Sequence, residues 1–409
     1  MASDQAIKAS HPPAREHGKD LDMNYRTNPK NGDQLSQLAF GCMRFHGDFG
    51  ETRRQILYAI EHGVNYFDTA YIYPNSESTL GRALEGGYRE RVKIATKLPP
   101  YLVKKYADFD RIFDAQLARL KTDYMDYYLV HMLSDLNSFE RIRALGFENW
   151  LHDKKAKGQI INIGFSYHGG RSEFPKLVDA NDWDFCMIQF NYLDEHNQAG
   201  RSGLEYAASK GLPVMIMEPL RGGRLAVKLP QEVRSLFHAA NPSRSPSEWA
   251  FRWVYNFPGV TTVLSGMNSM AMIEENIRVA SDALPDSFTE GELRLFETVR
   301  EKLLALQLVP CTGCNYCMPC PAGVDIPTCF SCLNNLSTSG KPRAFVDYLM
   351  QTSMKRETGS ASKCVNCGKC EVHCPQKIEI RRELKGVVEA LEPFYYRPAR
   401  AVIKKVMRL

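Results

Sequence analysis

Short apolar runs alternating with helix-patterned stretches fill the chain to about residue 300, and ten of its twelve cysteines then crowd between Cys311 and Cys374. The alternation predicts an α/β fold. The cysteine crowding predicts a small metal-binding domain behind it. The runs that predict strands are Leu38–Gly41, Val64–Asp68, Lys93–Thr96, Tyr124–His131, Ile160–Ser166, Phe185–Asn191, Val214–Glu218 and Thr262–Gly266. Eight strands with intervening helices in this length is the arithmetic of a (β/α)8 TIM barrel, whose active site lies at the C-terminal strand ends. Ahead of them, Asn31-Gly32 between short polar-flanked segments reads as a hairpin turn able to plug the barrel bottom.

The cysteines form two runs, Cys311-x2-Cys314-x2-Cys317-x2-Cys320-Pro321 and Cys364-x2-Cys367-x2-Cys370-x3-Cys374-Pro375. Soft thiolates at this spacing build iron–sulfur clusters. The second run has the bacterial ferredoxin pattern, in which three cysteines hold one cluster and the fourth reaches the other. The fold class is therefore a TIM barrel followed by a small ferredoxin-like iron–sulfur domain. A zinc ribbon is the rival for paired Cys-x2-Cys, but triplets followed by Cys-Pro are not its pattern. Cys329 and Cys332 form a spare pair that either replaces Cys320 or stays free, and Cys42 and Cys186 stand alone.

At the predicted strand ends stand Asp68, Lys97, His131, Ser166, Asn191 and Glu218, each directly after an apolar run. Any one of them alone is as well explained as a loop residue starting the next helix. Together they describe polar groups converging on a barrel mouth.

Composition bounds the rest. The chain is 44% hydrophobic and 24% charged, with no stretch long and apolar enough to span a bilayer. Residues 1–22 are polar, lack a hydrophobic signal core and read as a disordered or added extension, with Met23 a candidate start. The expected division is 23–300 barrel, 301–388 cluster domain and 389–409 tail. Thiolate clusters and two lone thiols fit a reducing compartment, so a cytoplasmic location is expected. The net charge of +5 equals the five basic residues of Pro393–Leu409, a segment without acids. Nothing on the main domain argues for nucleic-acid binding. In the tail, Val402, Ile403, Val406 and Met407 share one helical face and Arg400, Lys404, Lys405 and Arg408 the rest. The expected role is packing of the apolar side on the protein itself. A less favoured reading docks the tail on an acidic electron carrier or an anionic membrane surface.

The run Asn65–Gly81 (NYFDTAYIYPNSESTLG), with Ala95-Thr-Lys97, Asp126–His131 (DYYLVH) and Ile163-Gly-Phe-Ser166, resembles the aldo-keto reductases from about Met23 to Ala283. The resemblance implies a catalytic tetrad of Asp68, Tyr73, Lys97 and His131. Reducing a carbonyl by hydride leaves negative charge on oxygen, which an acid must quench. Tyr73 would give the proton, Lys97 would ease its ionisation, Asp68 would hold the lysine, and His131 would orient the substrate oxygen. The resemblance also implies NAD(P)H as cofactor. Ser166 and Gln189 would hold the carboxamide, with Asn191 on the same wall. Pro219, Leu220, Gly222, Gly223 and Leu225 would close over the pyrophosphate, and Gly266, Glu275 and Asn276 would form the adenosine end. Gly266 and Met272 stand where many members place basic residues for a 2′-phosphate, so NADH is expected to bind at least as well as NADPH.

The segment Pro310–Pro327 (PCTGCNYCMPCPAGVDIP) resembles the ferredoxin-like domain of a subgroup of these reductases. That resemblance implies two [4Fe-4S] clusters, one on Cys311, Cys314, Cys317 and Cys374, the other on Cys364, Cys367, Cys370 and Cys320. The implied protein is an oxidoreductase acting on a small carbonyl or alcohol, with its clusters linked to a one-electron carrier protein. The alternatives are a cluster domain that is only a structural or redox-sensing lid, and a non-enzymatic electron carrier on a relic barrel.

Overall fold

The computed structural model describes residues 22–305 except 228, and 308–407 except 310, 312–316, 354–357, 373 and 375–377. A hairpin of β1 (Tyr25–Thr27) and β2 (Gln34–Ser36) precedes eight strands: β3 (Leu38–Gly41), β4 (Tyr66–Asp68), β5 (Lys93–Leu98), β6 (Met125–Leu133), β7 (Ile160–Tyr167), β8 (Phe185–Gln189), β9 (Val214–Met217) and β10 (Val260–Ser265). The eight pair in parallel, each with its sequence neighbour, and β10 closes on β3 to complete the barrel. All eight expected strands are present.

Parallel strands covered on both faces need apolar residues on both. Alternate residues therefore divide between two cores. Ala39, Tyr66, Ala95, Tyr127, Leu129, Phe185, Met187, Met215 and Leu264 fill the inside of the barrel. Phe40, Phe67, Ile94, Tyr128, Val130 and Ile188 point outward into the packing with the helices.

The hairpin closes the bottom. Leu35 is fully buried and joins the interior core. Tyr127 Oη donates to Asp33 Oδ2 at 2.7 Å and accepts from Asn28 Nδ2 at 3.2 Å, while Lys93 pairs with Asp33 at 3.2 Å. Gly32 lies in the turn at φ +80°, where a side chain would be strained. With its bottom sealed by side chains, the barrel is open at the strand C-termini.

Beyond the barrel the described residues are helical. Helices Ile326–Ser339, Lys341–Ser353, Ile380–Leu391 and Tyr396–Met407 surround a second core that includes Val324, Phe330, Tyr348, Leu384, Val387 and Tyr396. Cys329 and Cys332 are buried in that core, and the Cys329 thiol donates to the Gly359 carbonyl at 3.4 Å. The tail forms the expected helix. Tyr396 packs on Tyr348 and its hydroxyl lies 2.7 Å from Ser360 Oγ, whereas Val402 is 62% exposed. The first turn docks, and the side chains of Ile403, Val406 and Met407 lie outside the described residues.

Leu35→Ala empties the plug without touching the mouth. It should destabilise the barrel by about 2–5 kcal/mol, read by urea unfolding. A loss under about 0.5 kcal/mol would show that the hairpin does not seal the core.

Candidate active site

Asp68 ends β4, Lys97 lies near the end of β5, His131 lies on β6, and Tyr73 stands in the connection after β4. Strand parity and parallel register bring these four to the open mouth. Lys97 Nζ donates to Asp68 Oδ1 at 2.5 Å and to the Thr69 carbonyl at 2.6 Å, and both side chains of the ion pair are almost wholly buried. The ammonium sits 5.2 Å from the centre of the Tyr73 ring, and the Tyr73 and His131 rings meet edge to face at 6.1 Å.

Burial and charge act against each other here. Burial works to strip the Lys97 proton, but Asp68 and Tyr73 outweigh it and hold the lysine above its ordinary range, fully charged. Burial lifts the Asp68 carboxyl and the Lys97 charge opposes it. Burial also lifts the Tyr73 phenol, with Lys97 pulling it down and Asp68 and Glu218 pushing it up, so the net direction is upward. The expected easing by lysine is present but smaller than the effect of burial. The His131 imidazole falls well below its usual range through burial and the nearby Lys97 and His168, and is neutral. Asp68 Oδ2 and His131 Nδ1 are buried with no hydrogen-bond partner among the described residues. Buried polar atoms are rarely left so, and these two suit a site completed by bound molecules.

The wall expected to hold the carboxamide is more interlocked than the sequence suggests. Gly164 lets β7 approach β8 closely, since a Cβ there would lie 2.5 Å from the Phe185 carbonyl. Two residues on, Ser166 Oγ accepts from the Met132 amide at 2.8 Å. Gln189 and Asn191 both donate to Asp194 Oδ2, at 2.9 and 3.2 Å, and Arg221 Nε joins the same oxygen at 2.9 Å. Asp194 thus positions two of the expected nicotinamide contacts.

The connection after β9 begins at Glu218 and Arg221, both with left-handed backbone, and continues through Gly222 at φ +66° and Gly223 at φ +89°. Pro219 and Leu225 are buried and Leu220 is half-buried, which fixes the base of the loop. The Gly223 amide is already used by the Leu220 carbonyl at 2.9 Å, so it is not the free donor that its glycine suggests. A Cβ on Gly222 would meet the Arg44 guanidinium at 3.3 Å. Arg224 Nη2 bonds Asp347 Oδ2 of the cluster domain at 2.6 Å. Glu218 opens on the cleft, and its carboxyl is raised by the surrounding protein, then by Asp194 and Asp347, against Arg221 and Arg44.

At the expected adenosine end, Gly266 is open and Met272 is exposed. Asn276 Nδ2 donates to Ser265 Oγ at 3.0 Å. The Glu275 carboxylate accepts from the Ser245 and Ser247 hydroxyls, so it is engaged within the protein.

Three residues at the mouth escaped the sequence reading of the site: Asp194, Asp347 and His168. Asp347 reaches Arg224 across 123 residues, whereas Asp194 is a near sequence neighbour of Gln189 and Asn191. His168 follows Ser166 by two positions, and its imidazole is pushed down to about 4 by burial and Lys97.

In the cluster domain, burial and then Glu371, Cys320 and Cys364 push the Cys370 thiol up. Among the described residues no group of three or more possible metal ligands is gathered, and the crossed ligand set remains an expectation of the sequence. Cys367 is exposed between Asn366 and Gly368, both left-handed. Cys311, Cys317 and Cys374 are half-buried, and Cys314 lies outside the described residues. The donor set fits iron–sulfur chemistry.

Residues 37–290 match the family model described as aldo/keto reductase family, and residues 310–379 that of a 4Fe-4S dicluster domain, which implies two clusters. A 6-dehydroglucose reductase of Novosphingobium aromaticivorans is 28% identical over 60% of this chain and 86% of its own length. A 9,11-endoperoxide prostaglandin H2 reductase of Trypanosoma cruzi is 27% identical over 66% and 90%. The holo form of an aldo-keto reductase from Bacillus halodurans shares the fold at 23% identity, with a TM-score of 0.58 over 68% of this chain and 96% of that one. With the family match spanning well over half its length, the chain belongs to the aldo/keto reductase family of NAD(P)-dependent oxidoreductases and carries a 4Fe-4S dicluster domain.

Proposed function

We propose that the barrel interconverts a small carbonyl compound and its alcohol with NAD(P)H, and that the cluster domain links this chemistry to a one-electron carrier protein. The observation that carries the reading is the convergence of Tyr73, Lys97, Asp68 and His131 around two unpartnered buried atoms, Asp68 Oδ2 and His131 Nδ1. Bound NAD(P)H supplies the hydride that reaches the carbonyl carbon. Tyr73 gives its phenolic proton to the oxygen, forming the O–H bond as the carbonyl π bond breaks. Burial keeps that proton in place at neutral pH, and Lys97 offsets the charge left on the phenolate. Neutral His131 orients the substrate oxygen without competing for the proton. Ser166, Gln189 and Asn191 hold the carboxamide, the latter two fixed by Asp194. Pro219, Leu220, Gly222, Gly223 and Leu225 cover the pyrophosphate, with Gly266, Glu275 and Asn276 at the adenosine end.

Hydride moves two electrons and a cluster one, so two clusters hold the matching number. Cys311, Cys314, Cys317 and Cys374 would ligate one, and Cys364, Cys367, Cys370 and Cys320 the other. A lid role for the domain is the second reading, favoured by the Arg224–Asp347 contact at the cleft.

Tyr73→Phe should keep nicotinamide binding and lower carbonyl reduction by roughly two to four orders of magnitude, measured by steady-state NAD(P)H oxidation. Because the depressed His131 stays neutral until the pH falls well below its ordinary range, the wild-type kcat/KM profile should lack an inflection near ~6.5. Near-wild-type turnover of Tyr73→Phe would sink the assignment.

The choice of nicotinamide follows from charge. Gly266 and Met272 offer no clamp, and Arg221 and Arg224 are paired with Asp194 and Asp347. NADH should bind at least as tightly as NADPH in a fluorescence titration. A strong NADPH preference that vanishes on replacing either arginine would contradict this.

A further inference from the structure

The loop after β9 is fastened by two carboxylates from different parts of the molecule. On the barrel side, Asp194 takes Arg221 together with the amides of Gln189 and Asn191. On the other side, Asp347 of helix Lys341–Ser353 binds Arg224 through Oδ2 at 2.6 Å and Arg343 through Oδ1 at 3.1 Å. The side chains of Arg224 and Asp347 are only 13% and 12% exposed. This is no solvated surface pair of small consequence. Removing Asp347 from so sheltered a pair leaves the Arg224 charge uncompensated, whereas removing Arg224 leaves Asp347 paired with Arg343. Between the two anchors lie Gly222 and Gly223, whose left-handed backbone lets the loop arch. Asp347 is backed by the helix Ile326–Ser339, which begins six residues after Cys320 and packs against its own helix in the core shared with Cys329, Cys332 and Tyr348.

We infer that Asp347 is a positioning residue for the nicotinamide site: through Arg224 the cluster domain holds the loop over the cofactor, so that nicotinamide binding and cluster retention are linked. This rests on the reading of the loop given under the proposed function. Linkage between binding equilibria is reciprocal, so each site must report on the other. The sign separates this from the competing role of Arg224 as a direct phosphate ligand. If Asp347 merely sequestered a phosphate-binding arginine, its removal would free Arg224 and tighten binding. If Asp347 positions the loop, its removal weakens binding.

The test uses the full chain, purified without oxygen, and titrates NADH and NADPH by their fluorescence. D347N should raise both dissociation constants about tenfold, within the usual range of coupling between sites, and raise the nicotinamide KM with little change in kcat. Iron content should stay at the wild-type level. R224Q should have the same effect, the double variant should be no worse than either single one, and the swapped pair R224D/D347R should recover part of the loss. Saturating NADH should slow iron loss to a chelator in the wild type but not in D347N. Unchanged or tighter binding in D347N, or weakening by R224Q alone, would overturn the inference. If D347N yields too little folded protein, R224Q with the iron-loss comparison decides, because it alters only the barrel side. A wild type that binds neither nicotinamide removes the proposed function and this inference together. Normal binding that ignores both substitutions removes the inference alone.

Discussion

A lysine ammonium buried at the end of a barrel strand keeps its charge only beside a carboxylate, and the Lys97–Asp68 pair sets the geometry of the whole mouth. Such a pair is weak support for stability, because desolvation cancels most of its attraction. Its value lies in what it does to its neighbours. It places a fixed positive charge near the Tyr73 ring, adds to the burial that keeps His131 neutral and bridges the ends of β4 and β5. The sealed bottom has a related consequence: with Leu35 and Tyr127 filling the lower barrel, the opening is left at the top, where Asp68, Lys97 and His131 stand.

The barrel was legible because its rules are local. Continuous apolar runs mark strands covered on both faces, and the polar residue closing each run marks the mouth. Asp68, Lys97, His131 and Ser166 follow directly. The hairpin plug was legible from Asn31-Gly32, since its turn requires a left-handed residue. What stayed hidden is set by pairing across distance. Asp194 is a near sequence neighbour of Gln189 and Asn191, but nothing there announces that Arg221 will join them on its carboxylate. Glu275 turns to two serine hydroxyls thirty and twenty-eight residues away, a choice made by helix packing. The crossing of Cys320 to the second run was implied by the resemblance and not by spacing, since the first run has two residues, not three, before its last cysteine. Val402 is exposed although its periodicity suggested burial, while Tyr396, Ala399 and Arg400 supply docking contacts of that helix.

Two redox currencies are combined in this chain, and the loop after β9 stands between them. Its arginines pair with Asp194 below and Asp347 above, so the barrel and the cluster domain share one charged seam at the barrel mouth. Glu218 adds a raised carboxyl to that seam, and Arg44 faces the diglycine from the opposite loop. A domain placed there for electron exchange alone would have no need of buried contact with the loop after β9. One placed there as a lid alone would have no need of eight cysteines in two runs.

The most direct measurement is the iron, sulfide and flavin content of protein purified without oxygen, with nicotinamide titrated into the same sample. The account predicts about eight irons and eight sulfides for two ferredoxin-type sites, no flavin, and saturable nicotinamide binding. Zinc in place of iron and sulfide, or clusters in a protein that binds no nicotinamide, would contradict it.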